Sequence, residues 1–370
     1  MQDDFLSKKL QERREQHAFR LLRLPKRNLV DLCSNDYLGM ATNQLIHSDQ
    51  STSKKILKTG STGSRLLSGN YEKIEEAEQI IAAFHQSQAA LIFNSGYDAN
   101  IGLLSSVPQR NDIILYDSLS HASIRDGIRL SFAAAFSFQH NDLDDLEKKL
   151  ILNANGADRN IFVVTESVFS MDGDIAPLKQ MVDLCDQYNA KLIVDEAHAT
   201  GVVGDRGEGV AQHLKLQEKC FARIHTFGKA LGTHGAVILG SATLKEYLIN
   251  FSRSFIYTTA LPESTIDHIL KSYEIFPSLT EERNTLAILI EAFQSLAFKY
   301  QKLNSNTPIQ GIVIPGNEMA RAAAEMLQLN KLDIRAILYP SVPKGMERLR
   351  IVLHSFNTVE QIILLEELLD

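Results

Sequence analysis

The segment "KLIVDEAHATG" (191–201) joins a short apolar run to a group of polar side chains. Leu192, Ile193 and Val194 form a continuous apolar run, the pattern of a strand buried on both faces of a parallel β-sheet. Asp195 and His198 follow this run closely. In open α/β sheets, ligands bind outside the carboxyl ends of the strands. The segment therefore predicts a strand of a parallel sheet with a ligand site at its end.

Similar apolar runs recur along the chain and alternate with segments of helical length. Strands are predicted at 89–94, 112–117, 160–167, 191–198 and 222–228. Helices are predicted at 71–85, 142–151 and 176–190. This alternation is typical of a mainly parallel sheet covered by helices. The central part of the chain is therefore expected to have an α/β fold.

The two ends of the chain have a different pattern. Residues 3–22 place apolar side chains among charges, which predicts an amphipathic helix that ends before Pro25. A smaller α+β domain is expected near the other end, with a helix at 286–303, short strands at 309–315, 333–338 and 348–353, and a helix at 358–369. The predicted parts are an N-terminal helical arm (1–35), a large domain (36–248) and a small C-terminal domain (249–370). The arm is expected to pack with the C-terminal part.

Composition excludes several classes of protein. A chain of 370 residues with 44% hydrophobic content can bury a large core. Its net charge of −7 argues against a general nucleic-acid surface. No apolar run approaches the ~18 residues of a membrane span, and the opening "MQDDFLSKKLQERREQ" lacks the apolar core of a secretory signal, so a cytoplasmic protein is expected. Cys33, Cys185 and Cys220 are far apart and lack CxxC spacing, which favours neither disulfides nor a metal site.

Further candidate site residues lie at the ends of the other predicted strands. They are Gly96 and Tyr97 in "FNSGYDAN", His121 in "DSLSHAS", Glu166 and Ser170 in "TESVFSMDGD", and Thr226 and Lys229 in "HTFGKA". Taken alone, Asp195 and His198 fit a metal site, a catalytic dyad, two contacts to an aromatic ring, or solvated residues at a strand end. A metal site needs a third ligand at a recognisable spacing, and none is evident.

One cofactor requires this whole set of residue types. A helix N-terminus with small and hydroxyl residues binds a phosphate, and a lysine amine forms a Schiff base. An aspartate keeps a pyridine nitrogen protonated, while a histidine or aromatic residue stacks on the ring. The chain supplies all four at its strand ends, which indicates pyridoxal 5′-phosphate (PLP) with Lys229 as its attachment point. A nucleotide loop is not supported, because Ala230 follows Lys229 where a P-loop needs a hydroxyl residue.

Eight segments in order resemble the α-oxoamine synthases, PLP enzymes of the aspartate-aminotransferase fold (PLP-dependent transferase fold type I). The segments are "SNDYLGM" (34–40), "GSTGSRLLSGN" (60–70), "LSHAS" (119–123), "FQHNDLDDL" (138–146), "VTESVFSMDGDIAPL" (164–178), "VDEAHATGVVG" (194–204), "HTFGKALG" (225–232) and "FIYTTALP" (255–262). They cover nearly the whole chain. The resemblance implies a mainly parallel sheet in the large domain and a smaller α+β C-terminal domain.

The resemblance implies a role for each matching residue. Lys229 would hold the cofactor, Asp195 would bind its ring nitrogen, His198 its ring hydroxyl, and His121 would stack on the ring. Further cofactor contacts would be Gly96, Tyr97, Ser170, Thr226, Thr258 and Thr259. Substrate contacts would be Arg20, Asn35, His121, Ser341 and Arg350, with Arg350 rather than Arg348 on the amino-acid carboxylate. Glu166 and Glu196 are expected to be structural.

The resemblance also implies a reaction and partners. The expected reaction is decarboxylative condensation of L-alanine with a pimeloyl thioester, carried by coenzyme A or an acyl-carrier protein, in biotin biosynthesis. Sister enzymes use glycine or serine with other thioesters, and these stay alternatives. A non-catalytic PLP-binding protein is the alternative of another class. The segment "SRSFIYTTALP" (252–262) resembles one that reaches into a neighbouring subunit, so a homodimer is expected.

Overall fold

The computed structural model of the chain describes residues 3–22, 24, 28–47, 59–154 and 159–370. The described residues form two compact units. Unit 1 contains those of 1–37, 170–174 and 282–370, and unit 2 contains those of 38–169 and 175–281.

The described strands are numbered along the sequence. They are β1 Val30–Asp31, β2 Ala89–Phe93, β3 Ile113–Asp117, β4 Ala134–Phe138, β5 Ile161–Glu166, β6 Lys191–Asp195, β7 Cys220–Thr226, β8 Ala236–Gly240, β9 Ile309–Val313, β10 Leu332–Asp333, β11 Arg335–Ile337 and β12 Arg348–Val352.

The described α-helices are numbered in the same way. They are α1 Asp4–Glu15, α2 Gln44–His47, α3 Glu72–Phe84, α4 Gly96–Ser106, α5 Ala122–Leu130, α6 Leu143–Ala154, α7 Leu178–Gln187, α8 Val210–His213, α9 Ala242–Phe251, α10 Arg253–Ile256, α11 Glu263–Ile275, α12 Thr280–Ser295, α13 Asn317–Leu329 and α14 Val359–Leu369. Short 3₁₀ helices lie at Met40–Thr42 and Phe276–Ser278.

Unit 2 is built on a seven-stranded sheet in the order β2-β8-β7-β6-β5-β3-β4. The pairs between β4, β3, β5, β6 and β7 are parallel, whereas β8 is antiparallel to both of its neighbours. Every residue of β5 is buried, as expected for a strand covered on both faces. The predicted mainly parallel sheet with covering helices is therefore confirmed.

The core of unit 2 is formed by apolar side chains of the sheet and of the helices that cover it. Fully buried members include Leu91, Leu103, Ile114, Ile193 and Ile224. Burying a side chain of this size contributes about 1.5–3 kcal/mol to folding. The core therefore fixes the strands and, with them, the residues that follow each strand.

The strand directions bring separate parts of the sequence to one edge. The carboxyl ends of β2, β3, β5, β6 and β7 lie at the same edge of the sheet, because β8 runs opposite to them. The antiparallel strand β8 begins at that edge. The predicted site residues follow these strands, so the topology places them at one side of unit 2.

Unit 1 contains a three-stranded antiparallel sheet in the order β11-β12-β9 and the short parallel pair β1-β10. The chain after α1 is held to α13 by hydrogen bonds in which Asn317 Nδ2 donates to the carbonyl of Gln16 at 2.7 Å and Arg321 Nη2 donates to that of His17 at 2.5 Å. Helix α14 begins with a capping box between Thr358 and Gln361. The N-terminal residues and the C-terminal part thus belong to one unit.

The two amphipathic helices differ from their predicted bounds. Helix α1 ends at Glu15 and not at residue 22, because His17 adopts a left-handed backbone with φ 51°; Pro25 lies outside the described residues. Helix α12 spans Thr280–Ser295 instead of 286–303. The amide of Ala297 donates to Glu366 Oε1 of α14 at 3.0 Å, which replaces the bond that would continue the helix.

The unit boundary also differs from the predicted domain limit. Unit 2 extends to residue 281 and not to 248. Helices α10 and α11, which follow residue 248, pack against α4 and α3 of unit 2. Amphipathic helices lie where their apolar faces are covered, and the sequence pattern does not show which neighbour covers them.

Two stacked histidines lie in the interior of unit 2. The ring centroids of His85 and His225 are 4.1 Å apart, and both residues are fully buried. His85 Nε2 is 3.0 Å from the Tyr273 hydroxyl, and His225 Nδ1 is 2.9 Å from the Thr200 hydroxyl. Burial lowers the pKa of both histidines well below 6.5, and the nearby Arg223 lowers each further.

The buried histidines predict a loss of stability in acid. As the pH decreases below about 6.5, these histidines bind protons in the unfolded chain but not in the folded chain. The free energy of unfolding therefore decreases as the pH decreases, by up to about 1.4 kcal/mol per pH unit for each group. We expect His225→Asn to flatten the dependence of the urea midpoint on pH between 5 and 6.5, whatever its effect on overall stability. The exposed-residue control His213→Gln should keep the wild-type dependence, and an unchanged slope in His225→Asn would contradict the assignment.

Candidate active site

A cavity of about 360 Å³ opens in unit 2 at the edge where the strand ends converge. Its volume lies within the range of about 300–1,000 Å³ that is usual for ligand sites. The structure brings seven of the predicted cofactor contacts together in its wall: Gly96, Tyr97, His121, Asp195, His198, Thr226 and Lys229.

Lys229 lies in a tight loop between β7 and β8 and is half-buried. Gly232 and Gly235 in this loop have positive φ angles of 66° and 112°. A side chain on Gly232 would also collide with the backbone of Met40 and Ala41. Gly232 and Gly235 are therefore required by the path of the loop, which returns the chain into β8 and keeps Lys229 at the cavity.

Asp195 is the last residue of β6 and is buried, with 5% of its surface exposed. Its Oδ1 accepts the amide N–H of Ala197 at 2.9 Å, and its Oδ2 accepts Asn100 Nδ2 at 2.7 Å. Both oxygens are thus held in fixed directions at the wall of the cavity. A carboxylate with this support can accept a further N–H from a cationic ring.

His121 is the N-cap residue of α5, and its Nδ1 accepts the amide N–H of Ser123 at 3.2 Å. Nδ1 also lies 2.7 Å from Ser123 Oγ. Desolvation lowers the pKa of His121, and the charge of Lys229 lowers it further, against the opposing effect of Asp195. A neutral imidazole suits a residue that stacks on an aromatic ring.

The N-terminus of α4 forms another part of the wall. Ser95 caps this helix through a hydrogen bond from the Asp98 amide to Ser95 Oγ at 3.1 Å. A Cβ on Gly96 would lie 2.5 Å from Thr226 Cγ2, so this close approach requires glycine. The free amides and the dipole at this helix end favour an anionic group such as a phosphate.

Glu166 lines the same cavity, although the sequence predicted a structural role for it. It is the last residue of β5 and lies opposite Asp195 in the β5–β6 register. Its Oε1 accepts the amide of His121 at 2.6 Å. Burial, reinforced by the charge of Asp195, raises the pKa of Glu166 to about 8. The residue is therefore a largely neutral acid at pH 7.

Four of the five predicted substrate contacts, Arg20, Asn35, Ser341 and Arg350, form two hydrogen-bonded groups in unit 1, and the fifth, His121, lines the cavity of unit 2. Arg350 Nη2 donates to Asn35 Oδ1 at 3.0 Å, and Arg350 Nε donates to the carbonyl of Ser170 at 2.7 Å. Arg20 Nη2 donates to Ser341 Oγ at 3.2 Å.

Arg348, the alternative to Arg350, forms an ion pair with Asp172, and only 3% of its side chain is exposed. Its guanidinium therefore already has a carboxylate partner. This favours Arg350 as the arginine that is available to a substrate.

Three predicted cofactor contacts do not line the described cavity. Ser170 belongs to unit 1, where its carbonyl faces Arg350. Thr258 Oγ1 and the carbonyl of Thr259 each accept a hydrogen bond from Asn94 Nδ2, at 2.9 and 2.8 Å. Asn94 follows β2 and directly precedes the cap residue of α4.

Sequence reasoning did not identify Asn100 and Ser123, which both line the cavity. Asn100 lies four residues after Gly96 in α4, so a helical spacing placed it on the same face. Ser123 lies two residues after His121, in the same turn. Both could have been found by extending the search one helical turn from each predicted contact. His234, in the loop that follows Lys229, also lines the cavity.

Two further classes of site were sought in the described part of the chain. None of its histidine, cysteine, aspartate and glutamate side chains form a group of three or more that could hold a metal ion. No described helix is both long and apolar enough to span a membrane.

Comparison with known proteins identifies the family. A model of "Aminotransferase class I and II" matches residues 27–364. The chain belongs to this family. An 8-amino-7-oxononanoate synthase of Emericella nidulans is 40% identical over 388 residues, which covers 97% of this chain and 93% of the relative. A putative 8-amino-7-oxononanoate synthase of Geobacillus kaustophilus is 39% identical over 362 residues, which covers 96% and 92%.

Solved structures agree with this assignment. Serine palmitoyltransferase of Sphingomonas wittichii has a TM-score of 0.87 and 26% identity, covering 99% of this chain and 96% of that one. An 8-amino-7-oxononanoate synthase of Francisella tularensis has a TM-score of 0.78 and 29% identity, covering 93% and 97%. Other serine palmitoyltransferase structures are described with PLP.

These comparisons confirm the predicted α-oxoamine synthase family, the aminotransferase-like fold, PLP as cofactor and an enzyme of the acyltransferase type. The cavity itself fits PLP. It offers an amine at Lys229, a buried carboxylate at Asp195 and a helix N-terminus at Gly96, the three chemical partners that the aldehyde, the ring nitrogen and the phosphate need.

The raised pKa of Glu166 predicts a pH dependence of stability opposite to that of the buried histidines. Between about 4.5 and 8 the folded chain keeps a proton that the unfolded chain has released, so the free energy of unfolding falls as the pH rises through this window. In Glu166→Gln this contribution is absent. We expect the stability of the variant relative to the wild type to increase from pH 5 to pH 8 in urea denaturation.

The exposed-residue variant Glu12→Gln is the control, and its difference from the wild type should be constant over the same range. A constant difference for Glu166→Gln as well would show that the Glu166 carboxyl is ionised throughout.

Proposed function

We propose that the enzyme condenses L-alanine with a pimeloyl thioester to form 8-amino-7-oxononanoate, carbon dioxide and the free thiol, a step of biotin biosynthesis. The observation that carries the proposal is the convergence of Lys229, Asp195, His198 and His121 on one cavity of a chain whose 40%-identical relative is an 8-amino-7-oxononanoate synthase. The thioester would be carried by coenzyme A or an acyl-carrier protein.

PLP, when bound, supplies an electron sink that stabilises a carbanion at the α-carbon of the amino acid. Lys229 would hold the cofactor aldehyde through its amine and would serve as the base for the α-proton of the substrate. Asp195 would keep the ring nitrogen protonated, His198 would donate to the ring hydroxyl, and His121 would pack on the ring face. The N-terminus of α4 at Gly96 would hold the phosphate.

Arg350 binds the carboxylate of alanine with its planar guanidinium. Its contacts to Asn35 and to the Ser170 carbonyl fix the direction of the side chain. Arg20 and Ser341 contact the acyl substrate. They line a cavity of about 280 Å³ in unit 1 together with Leu338, whose apolar side chain suits an aliphatic chain.

The sister α-oxoamine synthases are the nearest alternative, and the serine palmitoyltransferase structures support it. Their identity of 26% is lower than the 40% of the fungal relative. The choice between alanine, glycine and serine depends on one small substituent, and a methylene group changes discrimination by only about 1–3 kcal/mol. A non-catalytic PLP-binding protein has no need for a base, and Lys229 and Asp195 both line the cavity.

Substrate assays test the proposal directly. With PLP bound, we expect kcat/KM for L-alanine with a pimeloyl thioester to exceed that for glycine or serine by about tenfold or more. Product identity is checked by mass spectrometry, with Lys229→Ala as the inactive control. Faster turnover of serine with a long-chain thioester would assign the enzyme to the sister group, and no turnover of any pair would favour the non-catalytic protein.

A substitution tests the carboxylate contact. Arg350→Ala should raise the KM for alanine by about tenfold or more, because a charge-assisted contact of about 1.5–3 kcal/mol is lost, with a smaller change in the KM for the thioester. Arg110→Ala, a change of an exposed arginine, is the matched control. Equal changes in both KM values for Arg350→Ala would place the carboxylate elsewhere.

We further propose that the enzyme is a homodimer in which Thr258 and Thr259 of one subunit reach the phosphate held by the other subunit. The alternative is that the two threonines only hold Asn94 of their own chain. Subunit exchange between the inactive variants Lys229→Ala and Thr258→Val/Thr259→Val separates these alternatives. Shared sites predict partial recovery of activity, because the heterodimer then has one complete site. No recovery after proven exchange would show that each chain completes its own site.

A further inference from the structure

A continuous series of hydrogen bonds joins Asp195 to His121 in the wall of the cavity. Asn100 Nδ2 donates to Asp195 Oδ2 at 2.7 Å and to Ser123 Oγ at 3.1 Å. Ser123 Oγ lies 2.7 Å from His121 Nδ1. Asn100 and Ser123 are 2% and 1% exposed, so the series is shielded from solvent. Asp195 is predicted to bind the nitrogen of the cofactor ring and His121 to stack on its face. The side chains of Asn100 and Ser123 therefore link these two residues.

The direction of each hydrogen bond in the series is fixed by chemistry. A carboxylate only accepts, so the nitrogen of the Asn100 amide must face Asp195. The same nitrogen has a second hydrogen, which Ser123 Oγ accepts. The serine hydroxyl is then free to donate to His121 Nδ1, where the Ser123 amide also donates. Nδ1 is an acceptor, so a neutral His121 carries its proton on Nε2.

The oxygen of the Asn100 amide is less favourably placed than its nitrogen. Asn100 Oδ1 is buried and has no hydrogen-bond partner among the described residues. An unpaired buried carbonyl destabilises a fold, and turning the amide over would place that oxygen against the Asp195 carboxylate. The amide keeps the orientation in which Asn100 Nδ2 donates to Asp195 Oδ2. This indicates that the hydrogen bond to Asp195 is the main role of the Asn100 side chain.

We propose that Asn100 is a positioning residue that fixes the carboxylate of Asp195 and, through Ser123, the tautomer and plane of His121. In this role Asn100 acts through Asp195 and Ser123. A single amide thereby sets both residues that hold the cofactor ring. The inference rests on the PLP roles of Asp195 and His121 in the proposed function, but not on which amino acid or thioester is the substrate.

The first test measures cofactor binding and spectrum, which do not depend on turnover. Asn100→Leu keeps the branching of the side chain at Cγ and removes both donors. We expect it to weaken PLP binding by about tenfold, measured from cofactor release on dilution of the holoenzyme, and to shift the midpoint of the pH titration of cofactor absorbance. Asn250→Leu, a change in the exposed part of α9, is the matched control and should change neither quantity.

A double-mutant cycle distinguishes positioning from general support of the fold. If Asn100 acts through Asp195, then Asn100→Leu should change PLP affinity by less than about threefold in an Asp195→Asn background. Additive losses of PLP affinity, or a lower urea midpoint with an unchanged absorbance titration, would overturn the proposal.

Where Asn100→Leu fails to fold, Asn100→Asp serves as the second variant. It has the same shape and places a like charge beside Asp195, so it should shift the titration, and an unshifted titration overturns the proposal.

The link to His121 has its own readout. Nitrogen-15 spectra of labelled histidine should show the Nε2–H tautomer of His121 in the wild-type holoenzyme and a mixture of tautomers in Ser123→Ala. A single unchanged tautomer in Ser123→Ala would remove Ser123 from the series. Failure of alanine and a pimeloyl thioester to react would contradict the proposed function while leaving these three measurements interpretable.

Discussion

The common direction of β5, β6 and β7 is the constraint on which the site depends. Parallel neighbours end at one edge, so Glu166 and Asp195 lie opposite each other and Lys229 lies in the loop that follows the next strand, β7. The buried apolar core holds this register, because a slip of one residue would turn every side chain of a strand to the other face. The reversed strand β8 then returns the chain through the glycine loop that presents Lys229.

Two neighbouring carboxyl groups at this edge differ in the hydrogen-bond donors that they receive. Two anions side by side in a buried site are unfavourable, and hydrogen-bond donors stabilise the charged form of a carboxyl group. Asp195 accepts two N–H groups, whereas the one hydrogen bond described for the Glu166 carboxyl comes from the amide of His121. Burial accordingly raises the pKa of Glu166 to about 8. Asp195, with its two donors, is the carboxylate that the proposed contact to the cofactor ring nitrogen uses.

The apolar runs and their terminal polar residues were sufficient to predict the parallel sheet and the residues that converge on its edge. The same reasoning did not give β8, whose direction depends on pairing across the sheet, or the end of α12, which is set by a side chain of α14. Asn100 and Ser123 were missed because the search stopped at the residues that follow each strand and did not extend one turn into α4 and α5. The roles of Ser170, Thr258 and Thr259 stay predictions, since they rest on resemblance and these residues do not line the described cavity.

The central claim is that Lys229 holds PLP, and covalent trapping tests it most directly. Borohydride reduction of the holoenzyme fixes the cofactor to the lysine that carries it, and peptide mapping by mass spectrometry then identifies that lysine. The account predicts a single modified peptide that contains Lys229, and no modification at that peptide in Lys229→Ala. Stoichiometric modification of any other lysine, with Lys229 left unmodified, would contradict the account.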